Sequence, residues 1–261
     1  MNRKKALLIP LVVLLSLFWV ATAIAAPETS PSPSTAGLTL PSINIQTGTS
    51  GAEGSDTISI ILLLTVLSLA PAILIMMTCF TRIIIVLGFV RTSLGTQQMP
   101  PNQVLIGLAL FITFFVMAPT FGTINETALQ PYLKKEISQQ EAFTKATIPL
   151  KEFMGKQTEE KDLKLFLDYS KAEKPKSIQD IPLTTLVPAY AISELKRAFT
   201  MGFIIFVPFL VIDMVISSTL MAMGMMMLPP VMISLPFKIL LFVLVDGWYL
   251  VVQSLLRSFG T

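Results

Sequence analysis

Hydrophobic and polar positions fall in long blocks along this chain. An uncharged run extends from Ala6 to Pro27, and residues 26–56 are rich in Pro, Ser, Thr and Gly. A second uncharged run, Thr57–Thr81, would span about 37 Å as a helix, enough to cross a bilayer with some tilt. Pro71 near its middle predicts a bend. Arg82 and Arg91 follow, and a third apolar stretch occupies 104–124. Charge then crowds into residues 125–185, which hold ten Lys and ten acidic residues. Ser138 with Glu141 fits a helical capping box, and Thr158 leads into Glu159, Glu160 and Asp162, acids suited to a helix start. Leu163, Phe166 and Leu167 give that second helix one apolar face, while Pro149, Pro175 and Pro182 punctuate the rest. In the last third, a helix is expected from near Pro188 to Pro229-Pro230, followed by the run VMISLPFKILLFVLVDGWYLVV. The pattern predicts an all-α membrane protein of two long helical hairpins, four hydrophobic spans in all, with a small helical external insert.

Composition agrees: 53% of residues are apolar, 13% are charged, and the mean hydropathy is +0.72. The net charge of +3 comes from Arg3, Lys4 and Lys5. These precede the first apolar run, which ends in alternating Ala21, Ala23 and Ala25. A basic head, an apolar middle and an A-x-A exit predict a signal peptide cleaved after Ala25, the other reading being an uncleaved first membrane helix. The remainder carries 16 basic and 16 acidic residues, so no nucleic-acid partner is expected. The expected organisation is a signal peptide at 1–25, a flexible external tail at 26–56 and a first hairpin at 57–124. The external insert at 125–185 and a second hairpin at 186–261 complete it. The basic connector after the first span orients towards the cytoplasm, and the exported tail places the insert outside.

Absences narrow the chemistry. Without histidine there is no His-based triad and no HExxH zinc site, and Cys79 alone excludes an intrachain disulfide or a CxxC motif. No P-loop is present. No catalytic residue, metal or cofactor is expected, and the chain reads as not an enzyme. The unusual residues are charges in apolar runs: Asp213, Lys238 and Asp246. Each costs about 2.5–3.5 kcal/mol at a membrane helix centre, so such residues face protein or water, or snorkel from a helix end. Lys238 and Asp246, eight apart, fall on roughly one helix face, which suits partners on other chains. Met221, Met223, Met225, Met226 and Met227 put five of the 14 methionines into seven residues before Pro229-Pro230. Adaptable thioethers suit either a seal against a variable surface or the filling of a core. The polar connector Arg91–Gln103 contains Gln97, Gln98, Pro100, Pro101 and Asn102, with Pro100-Pro101 forcing an extended break before the next span.

RTSLGTQQMPP at 91–101, SELKRAFTMGF at 193–203, MGMMMLPP at 223–230 and FKILLFVLVDGW at 237–248, taken in this order, resemble the FliP family, core membrane subunits of the flagellar type III export gate. RTSLGTQQMPPNQVLIGLALF at 91–111 resembles that family's first hairpin, and PAYAISELKRAFTMGF at 188–203 its entry to the third span. MGMMMLPP at 223–230 is similar to its Met-rich loop, and PFKILLFVLVDGW at 236–248 to its closing signature. The resemblance runs from about residue 57 to the end, and the insert matches in placement more than in motif.

The resemblance implies a ring of five copies assembled with FliQ and FliR around a central channel. It places the complex at the flagellar basal body of the bacterial inner membrane, in contact with lipid, with unfolded flagellar proteins as cargo. It implies that much of the apolar sequence sits above the bilayer plane, chain against chain, in the assembled gate. It makes Met225, Met226 and Met227 a gasket closing the channel and Glu194 and Lys238 charges at subunit contacts, which gives the seam that includes Asp213 and Asp246 a role in those contacts. Arg91, Gln97, Gln98, Pro100, Pro101 and Asn102 belong to its hairpin motif. The rival reading is a secondary transporter or small-solute channel with a charged site at Asp213, Lys238 and Asp246. That reading predicts internal repeats of the span pattern, and the two hairpins differ in length, charge and motif. A purely structural assembly factor is the third reading, and it leaves the methionine cluster without a role.

Overall fold

The computed structural model describes residues 64–65, 68–69, 71–96, 98–170, 175, 177–225 and 227–260, all in the unit Ser55–Thr261. The expected signal peptide and tail lie outside the described residues, as do Gln97 and Met226. Among the described residues every regular element is helical.

Helix α1 (Pro71–Met77) meets α2 (Phe80–Ser93) at a bend of 79°. The sharp break therefore falls at Thr78 and Cys79, and the segment from Arg82 to Val90 continues the helix instead of forming a connector. Hydroxyl groups make this break tolerable in apolar surroundings, where freed backbone groups must find partners. Thr78 donates to the Leu74 carbonyl and Thr81 to that of Ile75 at 2.7 Å, while the Phe80 amide donates to the Thr78 hydroxyl at 3.3 Å. The Thr78 carbonyl accepts from Tyr190 Oη at 2.9 Å, tying the bend to a distant helix.

Helix α3 (Asn102–Ile124) runs through a π turn (Asn125–Leu129) into α4 (Gln130–Leu133), a continuous 32-residue helical stretch. It thus passes the boundary expected at residue 125 by more than two turns. The insert contains α5 (Gln139–Gln157) and α6 (Glu160–Ser170). Ser138 caps α5, its hydroxyl accepting from the Glu141 amide at 3.2 Å. Pro149 lies inside α5, where it removes one helical hydrogen bond without ending the helix.

Helix α7 (Leu183–Ala222) has 40 residues, about 60 Å. It begins five residues before Pro188, because Pro182, with an extended backbone, serves as its N-cap. The first half of α7 is the spine: α2, α5 and α6 pack along it. Met154, Ile181, Leu186 and Tyr190 form a core where the insert meets it. Beyond Gly202 burial nearly stops, and Phe203, Ile204, Val211, Met214 and Val215 are exposed. Helix α8 (Pro230–Leu244) packs against α7 and meets α9 (Gly247–Ser258) at 63°. Asp246, at φ 52°, makes that second bend. Gly247 permits it, since a Cβ there would lie 2.3 Å from the Phe242 ring. Phe242 then meets Trp248 edge to face at 5.3 Å. Among the described residues two helices, Asn102–Leu133 and Leu183–Ala222, are long and apolar enough to cross a membrane, and the bent pairs bring the number to four if each is one span.

Candidate functional site

Three constellations stand out: a buried ionic hub, an ion pair beneath the α7–α8 turn, and the turn itself.

The hub centres on Arg82 in the first turn of α2. Its Nε donates to Glu194 Oε2 at 2.9 Å and one terminal nitrogen to Glu194 Oε1, a two-pronged pair between side chains that are 0% exposed. That nitrogen also reaches Gln157 Oε1 at 3.1 Å. The other terminal nitrogen donates to the Ser258 carbonyl at 3.1 Å and the Ser258 hydroxyl at 3.0 Å. The Phe259 ring lies 4.0 Å from the guanidinium. One cation thus joins α2, the end of α5, α7 and the chain's last residues. Buried charge is tolerable only with such full pairing. Arg197 also donates to Gln157 Oε1, at 2.7 Å.

The second constellation joins α7 to α8. Asp213 accepts from Lys238 Nζ and from Ser234 Oγ, each at 2.6 Å. Lys238 is 3% exposed and Ser234 is buried. Asp246 is exposed and has no side-chain hydrogen bond among those described. The expectation that Lys238 and Asp246 share a helix face fails, because the helix breaks at Val245 and Asp246 and the eight-residue phase does not carry across. Of the four charges singled out, three are paired within the chain: Glu194 with Arg82, and Asp213 with Lys238.

The third constellation is the turn at Met223–Pro229. Gly224, at φ 74°, reverses the chain. Met221, Met223 and Met225 are exposed, and Met227 is 97% exposed. In the first connector, Arg91 donates to the side chain of Asn102, closing the loop from the end of α2 to the start of α3. Thr96 donates to the Met99 carbonyl, and the Met99–Pro100 peptide is cis. Gln98 and Pro101 are exposed and Pro100 half-buried.

Arg82, Gln157 and Ser258 were not singled out by the sequence reading. The available signal was an Arg flanked by apolar residues on both sides, which hydropathy treats as the end of a span. Among the described residues, no group of three or more His, Cys, Asp or Glu is placed to hold a metal.

The insert is docked on the first half of α7 by polar contacts. Glu159 accepts from Lys196 Nζ at 2.5 Å and lies 3.5 Å from Lys161 Nζ, while Ser193 Oγ donates to Asp162 at 2.7 Å. The Lys196 hydrogen bond holds the Glu159 carboxyl below the usual carboxylate range. A carboxyl with a lowered folded-state pKa stabilises above its unfolded pKa, and that contribution is lost as pH falls through the folded value. Acidification below the usual carboxylate range should therefore increase amide exchange at the start of α6. Glu159→Gln should show faster exchange already at pH 7 and less pH dependence; identical profiles for the two proteins would refute the role of the pair.

Helices of this length and apolarity, bent at polar breaks and tied by buried ion pairs, define a helical membrane protein. The FliP family model matches residues 63–255, and the chain belongs to the FliP family. It is 69% identical over 217 residues to flagellar biosynthetic protein FliP of Bacillus subtilis, covering 83% of this chain and 98% of that protein. Flagellar biosynthetic protein FliP of Caulobacter vibrioides is 52% identical over 217 residues, 83% of this chain and 82% of its own. That of Borreliella burgdorferi is 44% identical over 246 residues, 93% and 96% respectively.

Proposed function

We propose that this chain is a non-enzymatic membrane subunit of the flagellar protein export apparatus, at the inner membrane in the flagellar basal body. Several copies form a ring, five in our reading, and assemble with FliQ and FliR subunits around a channel for unfolded flagellar proteins. The methionine turn closes that channel at rest and yields to a polypeptide.

The observation that carries this reading is the α7–α8 turn. Unbranched thioethers project from its apex, on helices whose apolar flanks are left uncovered within the chain. Flanks this apolar call for lipid or neighbouring chains, and a soft apex suits a seal that must fit changing side chains. Family membership and the names of the relatives support the flagellar assignment. Asp246, exposed and without a side-chain partner among the described residues, is the charge left to meet a neighbouring subunit. Glu194, Asp213 and Lys238 act at subunit contacts through the helices they hold.

Replacing Met225, Met226 and Met227 together by Gly should raise small-ion conductance through the assembled complex while its native mass stays unchanged. Unchanged conductance in an assembled particle would defeat the seal. A particle that remains a monomer or dimer in detergent would favour a small-solute transporter.

A further inference from the structure

Asp213 lies nine residues before the end of α7 and Lys238 eight residues after the start of α8. At about 1.5 Å per residue, both stand roughly 12–14 Å from the methionine turn along their own helices. The two bonds on Asp213, from Lys238 and Ser234, are the only polar links between α7 and α8 among the described residues. Elsewhere the pair meets through apolar groups such as Phe209 and Phe242, whose rings are 6.3 Å apart. Apolar contacts permit sliding and splaying, whereas a carboxylate with one donor on each oxygen fixes distance and rotation together. A partly exposed carboxylate facing a nearly buried ammonium is costly to separate in apolar surroundings. The Gly95 bend of the first connector closes over the same place. At Gly95, whose φ is 73°, a Cβ built on the backbone would be 3.8 Å from Lys238 Nζ and 3.5 Å from Val231 Cγ1.

We infer that Asp213, Ser234 and Lys238 form a clamp that fixes the spacing of α7 and α8 and so sets where the methionine turn stands. These are positioning residues. They touch no cargo and act by holding the two supports of the turn in one arrangement. Without the clamp the turn remains at the apex, but its supports splay and its methionines occupy a range of positions. The inference rests on the reading of the turn as the channel's closing element for its functional consequence, but not for its geometry.

The geometry is read by spin labels at Met221 and Val231, both exposed, in the full chain with Cys79→Ser, reconstituted in vesicles. The unaltered clamp should give one narrow distance distribution. Asp213→Asn and Lys238→Met should each broaden it, and the exchange Asp213→Lys with Lys238→Asp should narrow it again. A distribution that stays narrow in both single variants overturns the clamp, as does an exchange variant that assembles yet remains broad. Small-ion conductance of the unlabelled single variants should rise and fall back in the exchange. Broadened distances with unchanged conductance leave the clamp standing and count against the turn as a seal, so the two ideas fail separately.

Discussion

Arg82→Ala should destabilise the protein by about 3–5 kcal/mol, the usual cost of leaving a buried charge without its partner. The substitution removes five hydrogen bonds at once and leaves the Glu194 carboxylate enclosed without a cation. Arg82→Lys should recover little, because an ammonium cannot supply the two-pronged pair to Glu194 while also reaching Gln157 and Ser258. Glu194→Gln leaves the guanidinium enclosed and underpaired, and should also lose stability. The informative variant is Arg82→Leu with Glu194→Leu, which removes both charges and should regain most of the loss. Thermal unfolding in detergent, followed by helical signal, reads all four. An unchanged melting temperature for Arg82→Ala would mean that the hub does not hold these helices together. A double variant no better than the singles would locate the loss in the Gln157 and Ser258 bonds instead of in the ion pair.

That hub shows where reading the sequence stops. Block hydropathy exposes long apolar helices, because a charge-free run of bilayer length has few alternative fates. The methionine cluster and the charges Asp213, Lys238 and Asp246 were visible for the same reason: each departs from its local background. Pairing was not visible. Arg82 and Glu194 are 112 residues apart, and only the packing of α2 along α7 brings them together. The two sharp bends at Thr78-Cys79 and at Asp246 were hidden for a related reason. Pro71 is the obvious breaker, yet the 79° turn falls at Thr78 and Cys79, where Thr hydroxyls satisfy the freed backbone and the Tyr190 hydroxyl donates to the Thr78 carbonyl. The bend at Asp246 depends equally on a contact, since Gly247 is needed only because Phe242 folds back onto it. Pro149 and Pro188 mislead in the opposite sense, each riding within a helix that neighbouring packing sustains. Local chemistry marks where a chain can break, and tertiary contacts decide where it does.

The same spine gives the second large effect, at Gly202. A Cβ on this residue would lie 2.4 Å from Phe89 Cδ2 and 2.5 Å from Cγ, too near for any real side chain. Phe89 also meets Phe199 edge to face at 5.5 Å, so its ring sits in the seam where α2 crosses α7. A stray methyl at an exposed position would simply push a side chain aside, but here the offending atoms include the base of the ring and the backbone must yield. Overpacking of this kind costs about 1–3 kcal/mol. Gly202→Val should therefore lower the melting temperature and separate α2 from α7 just below the Arg82 hub. Gly202→Ala in a Phe89→Ala background tests the cause, because removal of the ring opens the space a methyl needs. In that background the Gly202→Ala substitution should have almost no further effect, whereas alone it should be clearly destabilising. Equal penalties in the two backgrounds would show that the glycine serves something other than this contact. Because Gly202 ends the buried half of α7, loosening the seam should also weaken the support beneath the exposed half. Amide exchange in α2 should then rise before any change at the start of α6, since α6 rests on α7 through Ser193 and Lys196, at least one and a half turns away.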